Sequence, residues 1–147
     1  FQAEDGIRVL TCDWSSDVCS SDLGAEGPLF TSAFRSRIDG RWSIVVSQRL
    51  ETPDGQFDGS IGADLNPAYL ARFYEAIKMG PQSGIVLIDR HGTLLSRHPW
   101  LESAMGRVIP GSDAIVARFA QAPVGTFWAT SPFDGTRRLH GYAALAA

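Results

Sequence analysis

The sequence predicts an α+β fold made of short antiparallel strands and flanking helices, and three observations carry that prediction. Between Ser36 and Asp64, apolar and polar residues alternate and are interrupted by two turn signals. From Asn66 the apolar spacing changes to the period of a helix. Beyond Gly84 the strand–turn–strand pattern begins again, and Ser131-Pro132-Phe133-Asp134-Gly135 repeats the Ser-x-apolar-Asp-Gly of Ser36-Arg37-Ile38-Asp39-Gly40. A chain that repeats its own strand order predicts tandem related units.

Taken in order, Gly24 to Gly27 reads as a loop and Leu29 to Arg37 as a strand leading into the Asp39-Gly40 turn. Trp42, Ile44, Val46 and Leu50 then alternate with Ser43, Ser47 and Arg49, the period of a strand with one buried face. Thr52-Pro53-Asp54-Gly55 makes a second turn, since Pro presets φ and Gly accepts positive φ, and Phe57 to Leu65 returns as a strand. Asn66 supplies a capping side chain, and Pro67 sits at the first helical position, where its missing N–H costs nothing. Leu70, Phe73 and Ile77 fall on one side of that helix and are expected to face the core; Gly80-Pro81 is expected to end it.

In the second unit, Gly84 to Asp89 reads as a buried strand, Asp89 to Gly92 as a turn, and Thr93 to Arg97 as the partner strand, stopped by Pro99. Trp100 to Met105 has room for one or two helical turns. Ser112 or Asp113 is positioned to cap a helix through Ala122, with Ile115, Val116 and Phe119 inward. Thr126 to Ser131 and Arg138 to Leu145 are two more strands around Asp134-Gly135.

Residues 1–23 read differently. Asp13 to Leu23 is the translation of a common sequencing-library adapter, and Gln2 to Arg8 matches the companion flank in the same frame and the expected order. The alternative is a natural polar N-terminus with two cysteines. The adapter reading sets the segment outside fold reasoning, as for a tag or cloning scar. Both cysteines, Cys12 and Cys19, fall inside it and so carry no information on redox compartment. Setting aside Arg8, Glu4, Asp5, Asp13, Asp17 and Asp22 moves the formal charge from −3 to +1.

Neither charge suits a nucleic-acid or anionic-membrane binder, because the arginines are scattered and no basic run occurs. No apolar run reaches the roughly 20 residues of a membrane-spanning helix. Of the three histidines, His91, His98 and His140, none has zinc-ligand spacing with a nearby acid. No Gly-x-Ser-x-Gly elbow or phosphate-binding glycine loop is present, and Asp54 to Gly59 lacks calcium-loop spacing. The chain is therefore expected to be no enzyme in itself, with no cofactor and no metal.

The order Gly-Arg-Trp-x-Ile-x-x-Ser-x-Arg-Leu, then Pro-Asp-Gly-x-Phe-x-Gly, then Asn-Pro-Ala-Tyr-Leu-x-x-Phe-Tyr resembles the Cache family of extracytoplasmic sensor domains, in particular double-Cache sensors joined to diguanylate cyclases and histidine kinases. The resemblance covers most of Gly27 to Leu145. It implies PAS-like antiparallel sheets with flanking helices in two tandem modules, both incomplete. Residues 24–65 are then the C-terminal strands of the first module, 66–80 a connecting helix, and 81–147 a second module lacking its last strand. It implies a small-molecule signal-input domain of a bacterial transmembrane receptor, on the periplasmic or extracellular side of the inner membrane, with a homodimer compatible. The alternative is a ligand-free Cache spacer or dimerisation module that transmits conformational change. Cache ligands lie against the concave face of the sheet, which by analogy makes Arg37, Trp42, Ser47, Arg49 and Asp64 the candidate ligand-binding residues. Trp42 would offer a stacking face, Arg37 or Arg49 a forked donor for a carboxylate, and Asp64 a partner for an amine. The tyrosine-rich signature of some amino-acid-binding double-Cache receptors is absent, which argues against a standard amino-acid sensor.

Overall fold

The computed structural model describes residues 7–11, 27–37, 39–77 and 79–145. Among the described residues five strands form the first sheet: β1 (Ile7–Thr11), β2 (Leu29–Phe30), β3 (Phe34–Arg35), β4 (Trp42–Glu51) and β5 (Phe57–Leu65). The order is β1-β5-β4-β2, with β3 also paired to β4, and every pairing is antiparallel. Helix α1 (Pro67–Glu75) leads to the hairpin β6 (Ile85–Ile88) and β7 (Leu94–His98), a 3-10 turn at Glu102–Ala104, helix α2 (Ser112–Gln121), and the hairpin β8 (Val124–Thr130) and β9 (Arg137–Ala143). The two hairpins are separate two-stranded sheets.

The repeated turn is the same object in both units. The Ser36 N–H donates to the Arg41 carbonyl at 2.8 Å, the Gly40 N–H to the Ser36 carbonyl at 2.9 Å, and the Arg41 N–H to Asp39 Oδ1 at 3.2 Å. In the second unit Ser131 donates to Thr136 at 2.9 Å, Gly135 to Ser131 at 2.9 Å, and Thr136 to Asp134 Oδ1 at 3.1 Å. Gly40 and Gly135 hold φ of 69° and 68°, values that explain glycine at the fifth position. The second turn of the first unit also forms as read, with the Gly55 N–H on the Thr52 carbonyl at 2.9 Å.

Several expectations are corrected. The strand from Leu29 to Arg37 is broken into β2 and β3, because Thr31 turns both its N–H and its Oγ1 to the backbone of Val45, each at 2.9 Å, and Ala33 enters the core. β4 has two buried faces rather than one: Ile44 lies on one side, and Ser43, Val45 and Ser47 lie on the other, with Ser43 and Ser47 only 3% and 1% exposed. α1 also faces otherwise than its spacing suggests. Asn66 caps it through Oδ1 on the Ala68 N–H at 2.9 Å, but Pro67 and Ala71 are buried while Phe73 and Ile77 are 62% and 46% exposed. The Ser96 hydroxyl donates to the Pro67 carbonyl at 2.9 Å, drawing the helix so close to β7 that an alanine, one turn on, makes the contact. α1 ends at Glu75, ahead of Gly80-Pro81. Gly111 takes the capping position of α2, and Ser112 is buried as its first residue.

Of residues 1–23, read as adapter translation, 1–6 and 12–23 lie outside the described residues. Ile7–Thr11 pairs with β5, Ile7 opposite Leu65 and Thr11 opposite Ile61. Ladder bonds are backbone bonds, so an open strand edge accepts an extended segment whatever its origin. The hydrophobic core lies between the two units: Ala33 and Ile44 from the first pack with Leu94, Leu95, Met105 and Ile109 from the second, flanked by Trp42, Leu65, Leu87 and Trp100. Leu94 is fully buried, and truncating such a leucine costs about 2–5 kcal/mol.

Candidate functional site

β4 and β5 lie in register, with Val45 opposite Asp64, Ser47 opposite Gly62 and Arg49 opposite Ser60. Directly opposed residues share a face, so Ser43, Val45, Ser47, Arg49, Ser60 and Asp64 line one side of the central strand pair. The Ser43 hydroxyl donates to Asp64 Oδ2 at 3.1 Å. Asp64 Oδ1 is buried and has no hydrogen-bond partner among the described residues. Leaving a carboxylate oxygen dry and unpaired is costly. The arrangement therefore offers one acceptor to an incoming donor, in a setting where a charged donor binds most strongly.

The five sequence-predicted residues divide. Ser47 and Asp64 share this polar face. Arg49 lies on it two residues farther along, with its guanidinium directed to Glu51 Oε1 at 2.9 Å and over the Phe57 ring at 4.8 Å. Arg37 lies exposed in the turn before β4. Trp42 is on the opposite face, where its indole N–H donates to Glu102 Oε1 at 2.8 Å and Arg35 covers its ring at 5.1 Å. Sequence reading did not place Ser43 in the site, although its period-two spacing with Ser47 was the available signal. Glu102 and Arg35 had none, because their partners are distant in the chain.

The remaining polar clusters are structural. Asp134 accepts two bonds from Arg138, each at 2.7 Å, and the Arg138 Nε–H reaches the Gln82 carbonyl at 2.7 Å, tying the second hairpin to the loop ahead of β6. The Arg138 guanidinium, helped by the Thr136 N–H, holds the Asp134 carboxyl far below its usual range. Burial pushes Asp89 up, but the Ser32 hydroxyl and the Thr93 and His91 N–H groups outweigh it and leave Asp89 lowered. A cavity of about 270 Å³ lies between the end of α1 and the β6–β7 hairpin, lined by Tyr74, Ile77, Met79, Ser83, Ile85 and His98. It contains none of the polar-face residues. No group of three or more His, Cys, Asp or Glu among the described residues is arranged to hold a metal, and no described helix is long and apolar enough to cross a membrane.

Residues 67–147, more than half of the chain, match the dCache_1-like histidine kinase sensor domain. The chain belongs to this sensor-domain family. The Cache resemblance and the α+β fold are thereby borne out. Among solved structures, the extracellular domain of rpHK1S-Z16, assigned as a histidine kinase, is 26% identical with a TM-score of 0.74, over 92% of this chain and 63% of that one. The corresponding domain of mmHK1S-Z3 is 17% identical with a TM-score of 0.68, over 88% and 48%. The ligand-binding domain of the Pseudomonas fluorescens chemoreceptor CtaA, solved with L-serine, is 16% identical with a TM-score of 0.56, over 88% and 55%. This dCache chain thus spans less than two thirds of the solved domains it resembles. No curated protein sequence matches it.

Proposed function

We propose that this sensor domain is the extracytoplasmic ligand-input part of a bacterial transmembrane receptor, and that its ligand is a small molecule carrying an amino group, held by Asp64 with Ser43 and Ser47 beside it. The observation that carries the reading is the Asp64 carboxylate, with one oxygen engaged by Ser43 and the other buried without a partner among the described residues. An ammonium group satisfies that oxygen with a charge-assisted bond. The CtaA complexes with L-serine and L-alanine give a precedent for amine-bearing ligands on this fold. Arg49 lies on the same face and is the group to fork onto a ligand carboxylate if it leaves Glu51. The family model, a histidine kinase sensor domain, supports a histidine kinase over a diguanylate cyclase as the output. Residues 24–65 are read as the closing strands of a first module and 81–147 as a second. One further strand of the second module would pair with the side of β9 that has no strand partner among the described residues.

The test is thermal stabilisation by L-serine, by ethanolamine, which keeps the amine and lacks the carboxylate, and by 3-hydroxypropionate, which keeps the carboxylate and lacks the amine. Ligand at about a hundredfold excess over Kd should raise Tm by roughly 5–10 °C. Serine and ethanolamine should stabilise, 3-hydroxypropionate should not, and Asp64→Asn should abolish the response. Stabilisation by 3-hydroxypropionate alone would overturn the amine assignment. No response to any amine would favour the ligand-free spacer.

A further inference from the structure

Glu102 plays no part in the polar face, yet it gathers donors from both units. Its Oε1 accepts from the Trp42 indole at 2.8 Å and from Arg35; its Oε2 accepts from the Trp100 indole at 2.9 Å. Arg35 also donates to the Gly40 carbonyl at 2.7 Å, so the cation is fixed to the hairpin that carries Trp42. Behind this carboxylate the chain comes as close to β4 as it can. A Cβ at Gly106 would stand 2.6 Å from the Ala33 carbonyl and 2.9 Å from the Trp42 ring, and Gly106 holds φ of 68°. The same segment is laddered to β7, with the Gly106 N–H on the Leu94 carbonyl at 3.0 Å, Leu94 on Arg107 at 2.9 Å, and Ile109 on Gly92 at 3.0 Å. Trp42 and Ser43 are consecutive residues of one pleated strand, so the residue bonded to Asp64 and the residue bonded to Glu102 point to opposite faces of the same backbone.

We infer that Glu102 couples the ligand-facing sheet to the second unit, reading displacement of β4 through Trp42 and passing it to β7 through the Trp100–Gly106 segment. The inference rests on the polar face of β4 and β5 being the ligand site. The Arg35–Glu102 ion pair, 57% and 52% exposed, contributes little by itself. Direction comes from the two indole donors, which belong to different units and share one carboxylate. Shifting either tryptophan breaks a charge-assisted bond that spans or anchors the joint, so the joint resists relative movement and transmits it. Those indole bonds, Trp42 first and then Trp100, also hold the Glu102 carboxyl below its usual range.

Hydrogen exchange followed by mass spectrometry on the 147-residue chain tests the coupling. Without ligand, Glu102→Gln should speed exchange about tenfold in both 34–43 and 94–109, with 124–143 unchanged. Acceleration confined to 100–107, or spread equally over 124–143, overturns the inference. Should Glu102→Gln not fold, Trp42→Phe removes one donor and keeps the ring, and the same two-sided pattern is required of it. With saturating L-serine, protection should appear in 43–64 in both proteins but extend to 94–109 only when Glu102 is present. Extension that survives Glu102→Gln overturns the coupling. Absence of any protection by serine overturns the ligand assignment instead, and the unliganded comparison then decides for Glu102.

Discussion

The approach of α1 to β7 depends on two small contacts, the Pro67 carbonyl on Ser96 and the Ala71 side chain. A bulky residue at Ala71 must push the helix away, so Ala71→Leu should destabilise by about 1–3 kcal/mol. Phe73→Ala, at an exposed position, should stay within about 0.5 kcal/mol. Urea unfolding of both variants decides between this facing and the one the spacing suggests, and equal losses would remove it. Asp134 sets a pH dependence of known sign. Its folded-state carboxyl is depressed, so its contribution is complete above the ordinary aspartate value of about 3.9 and declines as pH falls below it. Asp134→Asn should therefore be less stable than the parent at neutral pH, and the difference should narrow below about pH 4. A gap that stays constant from pH 7 to pH 3 would show that Arg138 gains nothing from the charge.

Elements whose cause is local were legible in the sequence. The Asn66 cap, the Pro67 start, the two glycine turns and the strands around Asp134-Gly135 all form close to where they were read. Asn66→Ala should cost about 1 kcal/mol in chemical denaturation, and Asn66→Asp should restore most of it. Facing was harder to read, because it is decided by what lies opposite. Ser43 and Ser47 look like a solvent face by composition, yet they are buried beside Asp64. Trp42 looked like a ligand-stacking residue, and its direction is set by Glu102, sixty positions away. Alternation reports which residues share a side of a strand; it does not report which side meets a neighbour.

Across the whole molecule, the two hairpins of the second unit stand as separate sheets, and the side-chain bond from Arg138 to Gln82 ties the second to the loop ahead of the first. Among the described residues β6 and β9 each have one strand partner, and the outer face of β8–β9 leaves Val124, Trp128 and Leu139 exposed. Open edges next to apolar side chains recruit further strands. Sedimentation velocity over a tenfold or greater range of protein concentration should therefore reveal reversible self-association, and Leu139→Lys should reduce it. A single monomeric species throughout would mean that these edges are protected.

The paired turns at Ser36–Gly40 and Ser131–Gly135 have a consequence for engineering. Their three shared hydrogen bonds begin and end within six residues, so the turn backbone is common to both, while Arg35 on the Gly40 carbonyl and Arg138 on Asp134 tie each copy to its own hairpin. Exchanging Arg37-Ile38 with Pro132-Phe133 should preserve both hairpins while moving the Phe133 ring away from Arg97, over which it now lies at 4.1 Å. The turn's hydrogen bonds would be kept while Phe133 gives up both Arg97 and its packing against the core, which makes the pair a swap site for grafting contacts onto either half of the chain.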